Sequence, residues 1–188
     1  GGVVTELNFT DEFIRSLAEL YTSYDDALIA INQARMSIYL EGSDYDYMLL
    51  DPFAMGVIMD DSMVRMGMYT DYNGLKVIAD YHYTAESNST IPYDGYLNRS
   101  LGCYTMDISN FMQQLISNVI SESDENGVVD VEKFKTDKML KISRRMFVGP
   151  TADALYGFQR QMIYGGDAVE HTAEMAPMTL ELVYTIVY

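Results

Sequence analysis

The segment from Thr10 to Glu41 constrains the fold of this chain more than any other. Its large apolar residues recur three or four positions apart, the spacing that places side chains on one face of an α-helix. Burial of these eight side chains would contribute about 12–24 kcal/mol of gross hydrophobic stabilisation. We therefore predict a long N-terminal amphipathic helix, capped by Thr10 and ended by Gly42, against which later segments pack. The eight residues are Phe13, Ile14, Leu17, Leu20, Tyr21, Tyr24, Leu28 and Ile31.

Shorter patterns predict further helices and two strands. Residues 75–84 alternate in polarity, and residues 179–188 are rich in β-branched and aromatic side chains, which is typical of strands. Glycine, proline and asparagine mark the turns between the patterns. We predict an α+β fold in which four to five helices, including the long N-terminal one, pack on a small sheet where these two strands pair antiparallel. The helices after the first are expected at 53–69, 108–120, 131–147 and 151–164.

The composition is that of one folded domain. The 188 residues are 48% apolar and include 16 tyrosines and 14 methionines, which is more than a disordered chain carries. Because no linker divides the sequence, we predict a single globular domain over residues 1–188. No apolar run approaches the ~20 residues of a membrane span. Gly1 and Gly2 are interpreted as a tag or processing remnant, so a signal or anchor upstream and a native cytoplasmic start both stay open.

Charge is distributed unevenly along the chain. Twelve cations against 28 acids give a net charge of −16, which disfavours nucleic acid and anionic membranes as partners. Residues 130–147, called the basic segment below, nevertheless carry +3. A helix there would present a basic face that is either solvated or docked on the acidic patch of a neighbouring copy. The predicted interaction residues on this face are Lys135, Lys138, Lys141, Arg144 and Arg145.

A loop rich in tyrosine is the second candidate interaction surface. Residues 85–102 are dominated by serine, asparagine, glycine and tyrosine, and a loop of this length is often functional. Tyr93, Tyr96 and Tyr104 would supply large contact area to a partner. The alternative is that these rings fold back onto the domain.

The segment 122–134 resembles the calcium loop of EF-hand proteins. If Gly127 is the glycine of that loop, Asp124 and Asn126 occupy its third and fifth ligand positions. The resemblance implies calcium binding between two helices. However, Lys133 stands at the twelfth position, where the family has a bidentate glutamate, and its charge would repel calcium. An acidic turn between two helices is the alternative.

His82 and His171 are the weak candidates for a metal or catalytic site. They are the only histidines in the sequence, and neither belongs to a zinc-binding spacing. Pairing of the two predicted strands would bring them near each other. A hydrolase or metal-dependent enzyme built around them is therefore one alternative function.

We favour a non-enzymatic structural or interaction domain without a cofactor. The sequence contains no nucleotide-binding loop and no nucleophile elbow. A long N-terminal helix leading into a small helix-and-strand domain is similar to the soluble part of pilin-like and pseudopilin-like subunits. That resemblance implies an exported or cell-surface protein that binds a protein partner or itself. A virion or tail-assembly component is the other structural alternative, and a cytoplasmic location stays open.

Overall fold

The computed structural model describes residues 4–22, 28–39, 66–71, 74–78, 80, 97–98, 103–150 and 178–187. Within these residues the chain has an α+β fold, as predicted. The elements follow in the order β1 (Thr5–Asn8), α1 (Asp11–Thr22), β2 (Leu28–Tyr39), β3 (Met66–Asp71), β4 (Leu75–Val77), β5 (Leu97–Asn98), β6 (Cys103–Asp107), α2 (Ser109–Ser121), α3 (Lys133–Thr136), α4 (Lys138–Ser143), β7 (Arg145–Pro150) and β8 (Thr179–Val187).

The described strands form two small antiparallel sheets. The first has the order β1-β7-β3-β4 and the second has the order β5-β6-β2-β8. Strands β4 and β8 therefore belong to different sheets, so the predicted pairing of residues 75–84 with 179–188 does not occur among the described strands. The partner of β8 is β2, a segment that the sequence pattern assigns to a helix.

The predicted N-terminal helix is confirmed over Asp11–Thr22 and is wrong over Leu28–Tyr39, where the chain is a strand. The N–H of Phe13 donates to Thr10 Oγ1 at 3.2 Å, so Thr10 caps α1 as expected. The chain then forms β2, whose buried residues alternate along its second half. A bulge between Ile31 and Gln33 shifts this alternation by one residue. Because of this shift, apolar residues do not recur at every second position along the whole of β2, and their spacing in the sequence resembles that of a helix.

The side chain of Gln113, on α2, binds the backbone of β2 next to this bulge. Its Oε1 accepts from the N–H of Ile31 at 2.7 Å, and its Nε2 donates to the carbonyl of Ile29 at 3.2 Å. The pairing of β2 with β6 covers only the later residues of β2, from Arg35 to Tyr39. Helix α2 thus satisfies polar backbone groups that β6 does not reach.

One hydrophobic core joins both sheets to α1 and α2. Helix α2 corresponds to the helix predicted at 108–120 and buries one apolar face in this core, as its spacing predicts. Buried residues from the other elements complete it. The core includes Ile14, Leu17, Met36, Ile38, Met68, Met106, Phe111, Leu115, Phe134 and Met146.

Two other predicted elements differ from the structure. The helix predicted at 53–69 is a strand from Met66 onward, and its earlier part lies outside the described residues. The strand predicted at 75–84 ends at Val77, and Asp80 has a helical backbone. The helix predicted at 151–164 also lies outside the described residues.

Candidate functional site: the basic segment

The basic segment does not form the single helix predicted at 131–147. It forms two short helices and the start of a strand, because Asp137 has an extended backbone between α3 and α4 (ψ 133°). The Asp137 carboxylate accepts from the N–H groups of Met139 and Leu140, at 2.8 and 3.0 Å, and so caps α4. Arg145 already belongs to β7. The predicted basic face is therefore divided among three elements.

Asp11 binds two cations of the basic segment. Its Oδ1 lies 2.9 Å from Arg144 Nη1, and its Oδ2 lies 2.7 Å from Lys135 Nζ. Arg144 also donates to the carbonyl of Phe9, and the N–H of Phe9 donates back to the Arg144 carbonyl at 3.0 Å. These contacts attach the start of α1 to α3 and to the end of α4.

Arg145 connects three of the four described strands of the first sheet. It lies on β7, and its Nη2 is 2.9 Å from Asp71 Oδ2 on β3. Its Nη1 is 3.6 Å from Glu6 Oε1 on β1. The guanidinium also lies over the ring of Phe147, 5.4 Å from the ring centroid. Arg145 thus neutralises acids on both strands that flank β7.

Lys133 forms an ion pair across the segment that resembles an EF-hand loop. Its Nζ lies 2.8 Å from Glu122 Oε2, which joins the loop's first and twelfth positions. Asp124 Oδ1 accepts from the N–H groups of Asn126 and Val128, at 2.9 and 2.8 Å. A lysine ammonium therefore stands where the resemblance would place a metal-ligating carboxylate. Among the described residues, no group of three or more histidine, cysteine or acidic side chains is arranged to hold a metal ion.

Two cations of the basic segment have no acidic partner among the described residues. Lys138 and Lys141 lie three positions apart on α4, so they share one face of that helix. Between them, Met139 has 53% of its surface exposed, although the helical wheel of the predicted long helix places it on the apolar side. We call Lys138, Met139 and Lys141 the α4 ridge. Its two lysines are the part of the predicted basic face that stays available to a partner.

The ion pairs of Asp11 give one prediction for acid stability. Hydrogen bonds from Lys135 and Arg144 lower the pKa of Asp11 below its ordinary value of 3.8. An acid with a lowered pKa in the folded state stabilises the fold above its unfolded pKa, and this contribution is lost as the pH falls through the folded value. We therefore expect the stability difference between the wild type and Asp11→Asn to disappear below pH 3.8, as measured by urea unfolding at successive pH values. A difference that stays constant with pH would contradict this.

The other predicted site residues are not brought to this surface. Tyr104 lies on β6 and is fully buried, so it belongs to the core and does not extend a tyrosine-rich surface. Tyr93 and Tyr96 lie outside the described residues, as do His82 and His171. The proposed meeting of the two histidines depended on pairing between 75–84 and 179–188, which does not occur among the described strands.

The residue that the sequence analysis missed is Asp80. It is the one charged side chain among the described residues that is buried, and its two carboxylate oxygens accept from the N–H groups of Asn110 and Phe111 at 2.7 and 3.1 Å. Burial raises the pKa of Asp80 more than these hydrogen bonds lower it. No local pattern indicates this role, because the capped helix begins about thirty residues later in the sequence.

Comparison of the chain with protein-family models, with curated proteins and with solved structures gave no match. Among the described helices, none combines the length and the apolar character that crossing a membrane requires.

Proposed function

We propose that this protein is a non-enzymatic structural domain that assembles by docking the α4 ridge onto the acidic surface of a second copy. The observation that supports this is the pair of lysines, Lys138 and Lys141, without acidic partners among the described residues of a chain with a net charge of −16. An acidic neighbour would supply the missing partners, and attraction between opposite charges both speeds and orients such an encounter.

The composition of the ridge supports a protein partner. Met139 follows Lys138 on the same short helix and is also exposed, and a flexible thioether side chain adapts to surfaces of different shape. The other cations of the basic segment are engaged within the fold by Asp11, Asp71, Glu6 and Glu122. Docking through the ridge therefore breaks no ion pair between described residues.

This contact joins two different surfaces, the ridge of one copy and an acidic patch of the next. Such head-to-tail contacts repeat, and they produce rings when the rotation closes and filaments when it does not. Appendages of a cell surface and virion or tail structures are the settings that we propose for this assembly.

The experiment is light scattering coupled to size exclusion at low and high salt. We expect particles larger than the 21.3 kDa monomer at low salt, which dissociate as salt screens the lysines. The double variant Lys138→Gln/Lys141→Gln should weaken association about tenfold. A substitution that reverses the charge of Arg145 is unsuitable for this test, because it would break the ion pairs with Glu6 and Asp71.

A matched control separates docking from net charge. Gln114 and Ser117 are exposed on α2, and Gln114→Glu/Ser117→Glu changes the net charge from −16 to −18, as the double lysine variant does. The control should assemble like the wild type. Equal loss of assembly in both variants, or a wild-type monomer at low salt, would contradict docking through the α4 ridge.

A further inference from the structure

Strand β8 forms an edge of the second sheet and exposes apolar side chains. In the order β5-β6-β2-β8, its only strand neighbour among the described residues is β2. Val183 is 52% exposed and Val187 is 47% exposed, and Leu28, opposite Val187 on β2, is 71% exposed. A long apolar edge strand presents unpaired backbone groups and readily accepts another strand.

The charge on β8 indicates which strand it accepts. The six residues from Leu182 to Val187 are uncharged, and the nearby Glu181 is neutralised by Arg35, whose Nε lies 3.0 Å from Glu181 Oε2. Two chains that each carry −16 repel one another over most of their surfaces. The end of β8 is a strip along which two copies can approach with little repulsion, whereas a basic partner would find no charge there to bind.

We propose that β8 pairs antiparallel with β8 of a second copy, about a two-fold axis at Val183. This register places Val183 opposite Val183, Leu182 opposite Tyr184, and Glu181 opposite Thr185 of the second copy. No like charges face each other directly, which is a requirement for stable cross-strand pairs. The second sheet of one copy and the second sheet of the other, with four described strands each, become one continuous sheet of eight strands. The two exposed valines bury each other at its centre.

This dimer uses a different surface from the α4 ridge and responds to salt in the opposite way. Salt weakens docking of lysines on acids, but it screens the repulsion between two acidic chains and so strengthens pairing of uncharged strands. A chain that fails to form the salt-sensitive assembly can still form the β8 dimer. Failure of either proposal is therefore recognised separately.

The test uses sedimentation equilibrium at about 0.5 M salt, where the Debye length is only about 4 Å. At about 100 μM protein, which populates a dimer of micromolar Kd, we expect the wild type at twice 21.3 kDa. Val183→Glu and Val183→Lys should each weaken dimerisation at least about tenfold, because like charges then meet at the axis. Val128→Glu is the matched control, since Val128 is 65% exposed in the loop after α2 and should leave the dimer intact.

An equimolar mixture of Val183→Glu and Val183→Lys tests the register. Residue 183 lies opposite itself across the axis, so the mixture should form a heterodimer although neither variant dimerises alone. Circular dichroism and thermal unfolding of each variant show that the fold is retained. A wild-type monomer at high salt, undiminished dimerisation of Val183→Glu, or a mixture that stays monomeric would each overturn the proposal.

Discussion

Replacement of Asp80 by alanine is expected to lower the free energy of unfolding by about 2–4 kcal/mol. The Asp80 carboxylate accepts from two backbone N–H groups in the first turn of α2, those of Asn110 and Phe111. Both donors belong to the orphan N–H groups that every helix leaves at its start. Alanine would leave both N–H groups without this acceptor, and one of them belongs to Phe111, which is buried in the core. Urea unfolding followed by circular dichroism measures this loss.

Asp107 supplies the matched control for this change. It accepts from the N–H of Ser109 at 2.9 Å, so it satisfies the preceding donor of the same helix, but it is only partly buried. Water can replace a partly exposed acceptor, and Asp107→Ala should therefore cost only about 1 kcal/mol. Equal losses in the two variants would show that burial of Asp80 adds nothing to its role as a cap.

Asp80→Asn separates the charge of this cap from its shape. Burial raises the pKa of Asp80 above 3.8, so the ionised group is less favourable in the folded chain than in the unfolded chain. Stability from such a group is complete below the unfolded pKa and is lost as the pH rises through the folded pKa. The advantage of the wild type over Asp80→Asn should accordingly decrease as the pH rises from 3.8. An advantage of the wild type that increases as the pH rises would contradict a raised pKa for Asp80.

The parts of the fold that the sequence predicts are those with local signals. Thr10 as a cap, the apolar face of α2 and the β-branched run of β8 are each specified within a few residues. Strand β2 is different, because its bulge is supported by Gln113 from a helix about eighty residues away. A pattern that depends on such a distant hydrogen bond cannot be interpreted from the segment alone, and periodicity then favours the wrong element.

The charges of the candidate site could likewise be predicted from the sequence only where the signal is local. An excess of cations in the basic segment is evident from the sequence, which predicts docking on a neighbouring copy, but four of its six cations pair with acids of the same chain. The identity of the acids is not evident, because Glu6, Asp11 and Asp71 are brought to the segment by sheet pairing and by the position of α1. Only after those partners are known do Lys138 and Lys141 stand out as the two cations of the basic segment without an acidic partner among the described residues.

Gly127→Ala is expected to lower the free energy of unfolding by about 3 kcal/mol through two independent effects. Gly127 has φ +73°, in the left-handed region that costs other residues about 1–2 kcal/mol. A Cβ at this position would also overlap the side chain of Thr22 at the end of α1, lying only 2.7 Å from its Oγ1. Overpacking of this kind costs about 1–3 kcal/mol. Both effects would move the acidic turn that contains Gly127 away from α1.

A matched glycine and a double-mutant cycle distinguish the two effects. Gly74 has φ +103° and open space where a Cβ would lie, so Gly74→Ala should cost only the backbone strain of about 1–2 kcal/mol. Thr22→Ala removes the atoms nearest the new Cβ, and the double variant with Gly127→Ala should recover about 1 kcal/mol or more as a coupling energy. Urea unfolding of the four members of the cycle measures that coupling. Strict additivity would mean that the loop moves away from α1 without cost, and that contact with Thr22 does not hold the acidic turn in place.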